Sequence, residues 1–218
     1  MGKKISVIIP AFNEEKNIEI VIRTAKKSKN VDEVIVVDNL SVDKTEEVSL
    51  KAGAKVVKCN IQGKGYAMEK GLEASKNEII VFLDADIPCY SEDIVHMLTK
   101  PIFEEDIDFV KSTFDREGGR VTELVAKPML KILYPELGYI SQPLSGMIAG
   151  KREVFENLTF EKDYGVDIGI LLDVVNMKYN IKQINIGKIE NNSKDWKMLD
   201  KMASEVISAI LLRKNIIN

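Results

Sequence analysis

Asp84 and Asp86 close the apolar run Ile79–Leu83 with two carboxylates one residue apart. On extended backbone that spacing sends both side chains the same way. Two like charges so close repel, so alone they make a poor anion site. They make sense around a divalent cation, which prefers hard oxygen ligands and can in turn hold a diphosphate. Upstream, "GKG" sets Lys64 between Gly63 and Gly65. Glycines let backbone N–H groups approach phosphate oxygens, and a lysine adds a point charge. The spacing is not that of a P-loop, and no GxGxxG follows the first apolar run, so a dinucleotide site is disfavoured.

Blander readings apply to the same residues. Asp38 suits an Asx turn at a strand end. Asp43 suits a helix N-cap, with Glu46 completing a capping box. Glu14 and Glu15 suit the first turn of a helix, and Gly63 with Gly65 suits a plain turn.

The elements that must hold these residues alternate. Strand-like runs at 4–10, 31–38, 54–59 and 77–86 are separated by helical patterns at 14–29, 43–53 and 64–75, the second closed by Gly53 as a C-cap. Such alternation predicts an α/β fold, a mostly parallel sheet flanked by helices. In open parallel sheets, ligands bind beyond the carboxyl ends of the strands. All four early strands deliver polar loops there: 10–15, 38–43, 62–67 and 84–86. The later chain predicts helices at 91–102, 121–133 (with a kink at Pro128), 166–179 and 193–215, and strands at 107–114 and 181–187. The 218 residues suit one domain, regular over residues 1–100 and less regular over 101–218.

Composition excludes several classes. A net charge of -3 implies no general nucleic-acid affinity. No apolar run approaches the roughly 20 residues of a membrane span, and no leader pattern opens the chain, so a cytoplasmic protein is expected. Cys59 and Cys89 are expected as reduced thiols, and a single histidine, His96, makes a Cys/His zinc site improbable.

"PAFNEE", "VVDNLSVDKT", "GKGYA" and "FLDAD", in that order, resemble the nucleotide-sugar half of family 2-type glycosyltransferases with the GT-A fold. The resemblance implies that Asp86 binds Mg²⁺ or Mn²⁺. It implies that Asp84, with Ala85 between them, contacts the nucleotide sugar. Pro10, Ala11, Phe12 and Glu14 would line the base and ribose pocket. Asn39 would contact the nucleotide, and Lys64 would reach the donor. Leu40 stands where glycine is usual, which predicts a less tight loop. The second half, in "GGRVTELVAKPML", "QPLSGMIAGKREVFENLTF" and "YGVDIGILLD", resembles glucosyl-3-phosphoglycerate synthases, which move glucose to 3-phosphoglycerate with retention.

There the resemblance gives Gly119, Arg120 and Thr122 the acceptor. A small polyanion suits a guanidinium fork, a hydroxyl and free N–H groups. Asp167 falls where a glutamate near the reacting sugar is usual, one methylene shorter. The carbonyl of Leu144, with Ser145 and Gly146, would lie beside the transferred sugar. The histidine usual after the last strand is missing from "IGKIENNSK"; Glu190, Asn191 or Asn192 can substitute as oxygen ligands. His96 reads as a partly exposed helix residue. The donor can be a UDP- or GDP-hexose, and a homodimer is conjectural. Other readings are a polyprenyl-phosphate glycosyltransferase, a nucleotide-sugar-binding protein without transferase activity and, least favoured, a nucleotidyltransferase.

Overall fold

The computed structural model describes residues 3–115, 119–189 and 196–217. Its strands are β1 (Ile5–Ala11), β2 (Val31–Asp38), β3 (Lys55–Lys58), β4 (Ile79–Phe82), β5 (Phe109–Thr113), β6 (Ile148–Lys151) and β7 (Ile181–Asn185). Its helices are α1 (Ile18–Ala25), α2 (Thr45–Lys51), α3 (Lys64–Ala74), α4 (Ile94–Glu104), α5 (Lys127–Leu133), α6 (Arg152–Glu156), α7 (Val166–Asn176) and α8 (Trp196–Arg213). The strands form one sheet in the order β3-β2-β1-β4-β6-β5-β7.

Strand pairing is parallel between β1 and β2, β1 and β4, β2 and β3, and β5 and β7. Strand β6 runs antiparallel to both β4 and β5. Like α6 after it, this strand was not announced by the sequence pattern. Its four residues, IAGK, are short and carry a glycine, too little for a period-2 signal. It joins the strands of residues 1–100 to those that follow.

Alternation along the strands splits the core between the two faces. Ile5, Val7, Ile9 and Val81 pack against α1 and α4 through Ile18, Val21, Ile94 and Leu98. Ile8, Ile80 and Phe82 pack against α3, α6 and α7 through Met68, Phe155, Val166 and Ile170. A third cluster joins α5, α7 and α8 through Leu130, Leu171, Val206 and Ile210. The apolar face of α8 is thus spent inside the fold.

Local signals hold at some ends and fail at others. Gly53, at φ +78°, follows α2 as a left-handed residue; its N–H reaches Leu50 O, and Ala54 N–H reaches Ser49 O. Those two bonds are a Schellman ending. At the other end of α2 the capping box is absent. Lys44 holds the N-cap position, and Glu46 pairs with Lys58. Asp43 sits one residue earlier and accepts Thr45 N–H at 2.9 Å. Helix α1 begins four residues later than its polar lead-in suggests, so Glu14 and Glu15 are not its first-turn acids. Leu40 adopts the left-handed conformation itself, at φ +66°, so the loop keeps a turn that glycine would favour. Before Pro128, residues Thr122–Ala126 form a π-helical turn, with Lys127 N–H bonded to Thr122 O. Proline cannot donate to the helical ladder, and the widened turn lies directly ahead of it.

Candidate active site

A cavity of about 1000 Å³ opens along the carboxyl edge of β1, β2 and β4. Its walls include Pro10, Ala11, Phe12, Glu14, Asn39, Lys64, Asp84, Ala85 and Asp86 from the first half of the chain. Gly119, Arg120, Thr122, Leu144 and Asp167 complete them from the second. Tertiary structure therefore brings residues from both halves of the chain to one cleft.

The first two rim loops are spliced by their own polar groups. Glu14 N–H donates to Thr45 Oγ1 at 2.8 Å and Glu15 N–H to Asp43 Oδ2 at 3.1 Å. Val42 N–H donates to Asn13 Oδ1 at 2.8 Å. Burial raises the pKa of the Asp43 carboxyl, but hydrogen bonds from Thr45 and Glu15 outweigh it and hold the group below its ordinary value. Asn39 is also framework. Its Nδ2 donates to Ile61 O at 2.6 Å and its Oδ1 accepts Gly63 N–H at 2.7 Å. That side chain, which also lines the cavity, ties the loop after β2 to the loop after β3.

Lys64 opens α3 and lies at the centre of the cavity wall. Its Nζ is 2.7 Å and 3.0 Å from the two oxygens of Asp167 and 2.9 Å from Asp84 Oδ1. Burial works against the charge, yet the Asp167 and Asp84 carboxylates raise the lysine pKa above its ordinary value. The flanking glycines have a packing reason. A Cβ on Gly65 would lie 1.5 Å from Glu161 O, and one on Gly63 would lie 2.2 Å from Lys162 O. They admit the backbone that leads into α7, rather than simply making a flexible phosphate loop. Gly146 is equally constrained: a Cβ there would lie 2.4 Å from both Lys64 Nζ and Asp84 Oδ1.

The second half contributes groups that local pattern did not reveal. Asp163 Oδ2 accepts Lys201 Nζ of α8 at 2.5 Å, and Lys201 also lines the cavity. Tyr90 Oη donates to the Asp84 carbonyl at 3.0 Å and braces the acidic turn; burial, then Asp84 and Asp86, push its pKa well up. Ser145 Oγ and Ser112 Oγ share a 2.5 Å hydrogen bond beneath the Leu144 turn. Arg120 stacks over the Trp196 ring at 4.8 Å, so the start of α8 presents the guanidinium to the cavity. Lys111, in the interior of β5, donates to the Asp167 carbonyl at 3.1 Å. Period-2 reasoning gave that lysine no site, because a charged residue mid-strand reads as solvent-facing.

Asp86 is one of the carboxylates on the cavity wall, and its hard oxygens are of the kind that Mg²⁺ or Mn²⁺ accepts. Among the described residues no group of three or more His, Cys, Asp or Glu side chains gathers to hold a metal unaided. Glu190, Asn191 and Asn192 lie outside the described residues. His96 is exposed on α4, away from the cavity wall. Cys59 and Cys89 are both free thiols.

Comparison with known proteins agrees with this geometry. The model of glycosyl transferase family 2 matches residues 6–159. The chain is 38% identical to the glucosyl-3-phosphoglycerate synthase of Mycobacterium tuberculosis (strain ATCC 25618 / H37Rv), over 97% of this chain and 74% of that protein. A crystal structure of the M. tuberculosis enzyme with Mn²⁺, UDP-glucose and phosphoglyceric acid matches at a TM-score of 0.94. The identity is 39%, covering 100% of this chain and 81% of that one. Another structure of that enzyme, with the same TM-score, identity and coverage, contains Mg²⁺ and UDP.

Proposed function

The chain belongs to glycosyl transferase family 2, and from that premise we propose that it transfers glucose from UDP-glucose to 3-phosphoglycerate with retention, releasing UDP. The observation that carries this reading is the single cleft in which Asp84, Asp86 and Lys64 face Arg120 and Thr122.

The proposed donor lies over Pro10, Ala11, Phe12 and Glu14, with its diphosphate toward Asp86 and Lys64. Mg²⁺ or Mn²⁺, held by Asp86 and the donor's own oxygens, supplies charge neutralisation for the departing diphosphate. Lys64 is paired with Asp84 and Asp167 in this structure. Donor binding gives it a more highly charged partner and frees carboxylate oxygens to accept sugar hydroxyls. Asp167 is the residue proposed to hold the glucose. The Leu144 carbonyl is proposed to steady developing positive charge at the anomeric carbon.

Arg120, the N–H groups near Gly119 and the Thr122 hydroxyl are proposed to grip the acceptor. Gly119 is open: a Cβ there meets nothing within 4 Å. A helix start beside a guanidinium favours a small phosphorylated carboxylic acid. The bond between C1 and the diphosphate oxygen breaks, and the bond to the acceptor oxygen forms on the same face. The acceptor hydroxyl's proton leaves with the diphosphate, so no protein base is required.

Against the polyprenyl-phosphate reading, α8 turns Val206, Ala209 and Ile210 into the fold rather than toward a membrane. No helix among the described residues is long and apolar enough to cross a membrane. With small water-soluble substrates, a cytoplasmic location is the proposal. The test is a transfer assay crossing UDP-glucose, GDP-glucose and GDP-mannose with 3-phosphoglycerate, with and without Mg²⁺ or Mn²⁺. Metal-dependent product from UDP-glucose is expected. Donor binding without product from any pair would remove the acceptor assignment.

A further inference from the structure

Lys111 has no task in the reaction proposed above, yet it lies directly beneath it. It sits mid-sheet, opposite Ile148 of β6 and Gln183 of β7. Alternation puts its side chain on the face of Phe109, within the cluster that holds Val166 and Ile170 of α7. The residue is 0% exposed, and its Nζ donates to the Asp167 main-chain carbonyl at 3.1 Å. On the other side of that same residue, the Asp167 carboxylate grips Lys64 with both oxygens. A methionine would fill the same volume without removing a charge from water, so packing does not explain a lysine here.

We infer that Lys111 is a positioning residue for glucosyl transfer: from the sheet it pins the first turn of α7, and with it the Asp167 carboxylate, at the sugar subsite. The inference rests on the glucosyl-transfer reading. The charged groups that act on it are Asp167 on α7, Lys64 on α3 and Asp84 after β4. Burial pulls its pKa down to about 8, with Lys64 adding to the fall and the two carboxylates opposing it. The cationic form is the positioning one, because only it balances the Asp84 and Asp167 charges.

Lys111→Met tests this. Expected is a kcat lowered about ten-fold or more, with the KM for UDP-glucose and the Kd for UDP with Mn²⁺ changed less than about two-fold. The unfolding temperature stays level or rises, which a merely structural lysine would not allow. Wild-type kcat falls as pH rises through about 8, and the variant lacks that limb. A variant kcat within about two-fold of wild type, or one that keeps the alkaline limb, overturns the inference. If the variant does not fold, the wild type decides: a kcat that stays level past about pH 8 overturns it. Absence of product from wild type would remove the glucosyl-transfer reading and this inference with it. Product from wild type with an unaffected variant would remove this inference alone.

Discussion

The proposed donor end of the cleft is built mainly from neighbouring strand ends, whereas the proposed acceptor end is built from a helix entry. At the donor end, β1, β2 and β4 lie side by side and their register places each loop beside the next. Short hydrogen bonds then splice the loops, as Asn39 does between the loop after β2 and residues 61 and 63. At the acceptor end, Arg120 precedes a π-helical turn and leans on Trp196 of α8. The proposed glucose subsite lies between the two ends, where Asp167 enters from α7, 103 residues after Lys64. Sheet register makes a rigid site from local sequence, while helix entries make one only after the whole chain has packed.

The deepest way to break that comparison is Asp86→Ala. Loss of transfer on the order of a thousand-fold or more, with loss of metal-dependent UDP binding, is expected from calorimetry and product assay. Near-normal transfer would sink the metal role. Gly146→Ala is expected next, since it drives a methyl into the Lys64–Asp84 pair from the second half. A kcat reduced about a hundred-fold, with a smaller effect on unfolding temperature, would show that the two ends share one charge cluster. Arg120→Ala separates them. The KM for 3-phosphoglycerate should rise about ten- to a hundred-fold while UDP binding is unchanged. Unaltered acceptor kinetics would remove Arg120 from that end.

A smaller effect concerns stability and pH. Lys111 has a folded pKa of about 8, below the unfolded value near 10.4. The folded form therefore binds fewer protons between those values, and stability rises with pH across that window. Below about pH 8 the burial penalty is fully present. Lys111→Met should gain on the order of 1 to 3 kcal/mol over wild type at neutral pH. Denaturant titration should show that gap shrinking as pH rises above about 8. A gap independent of pH would mean that the lysine is not buried as a charge. The smallest effect is Leu40→Gly, which relieves a left-handed residue at the donor end. Chain entropy offsets part of the gain, leaving about 0.5–1 kcal/mol of added stability. A loss of stability would show that the exposed leucine side chain is held by contacts of its own.

Much of this was legible in residue order. Alternating apolar runs specify parallel strands with covering helices, because each run must bury its faces and each crossover needs a helix. Polar residues just past each run then fall on one rim, so Asp84, Asp86, Lys64 and the loop at 10–14 could be selected from sequence. Tertiary structure decided the rest. Strand β6 is too short to carry a period, and its antiparallel direction depends on neighbours already in place. Gly63 and Gly65 are required by carbonyls of residues 161 and 162, about a hundred positions away, which no local pattern encodes. Asn39 lines the cavity and also ties two loops, a second task that residue type alone does not reveal. Lys111 reads as a surface charge until α7 closes over it. Local chemistry is written in residue type and spacing, but commitment and burial depend on what arrives from the other half of the chain.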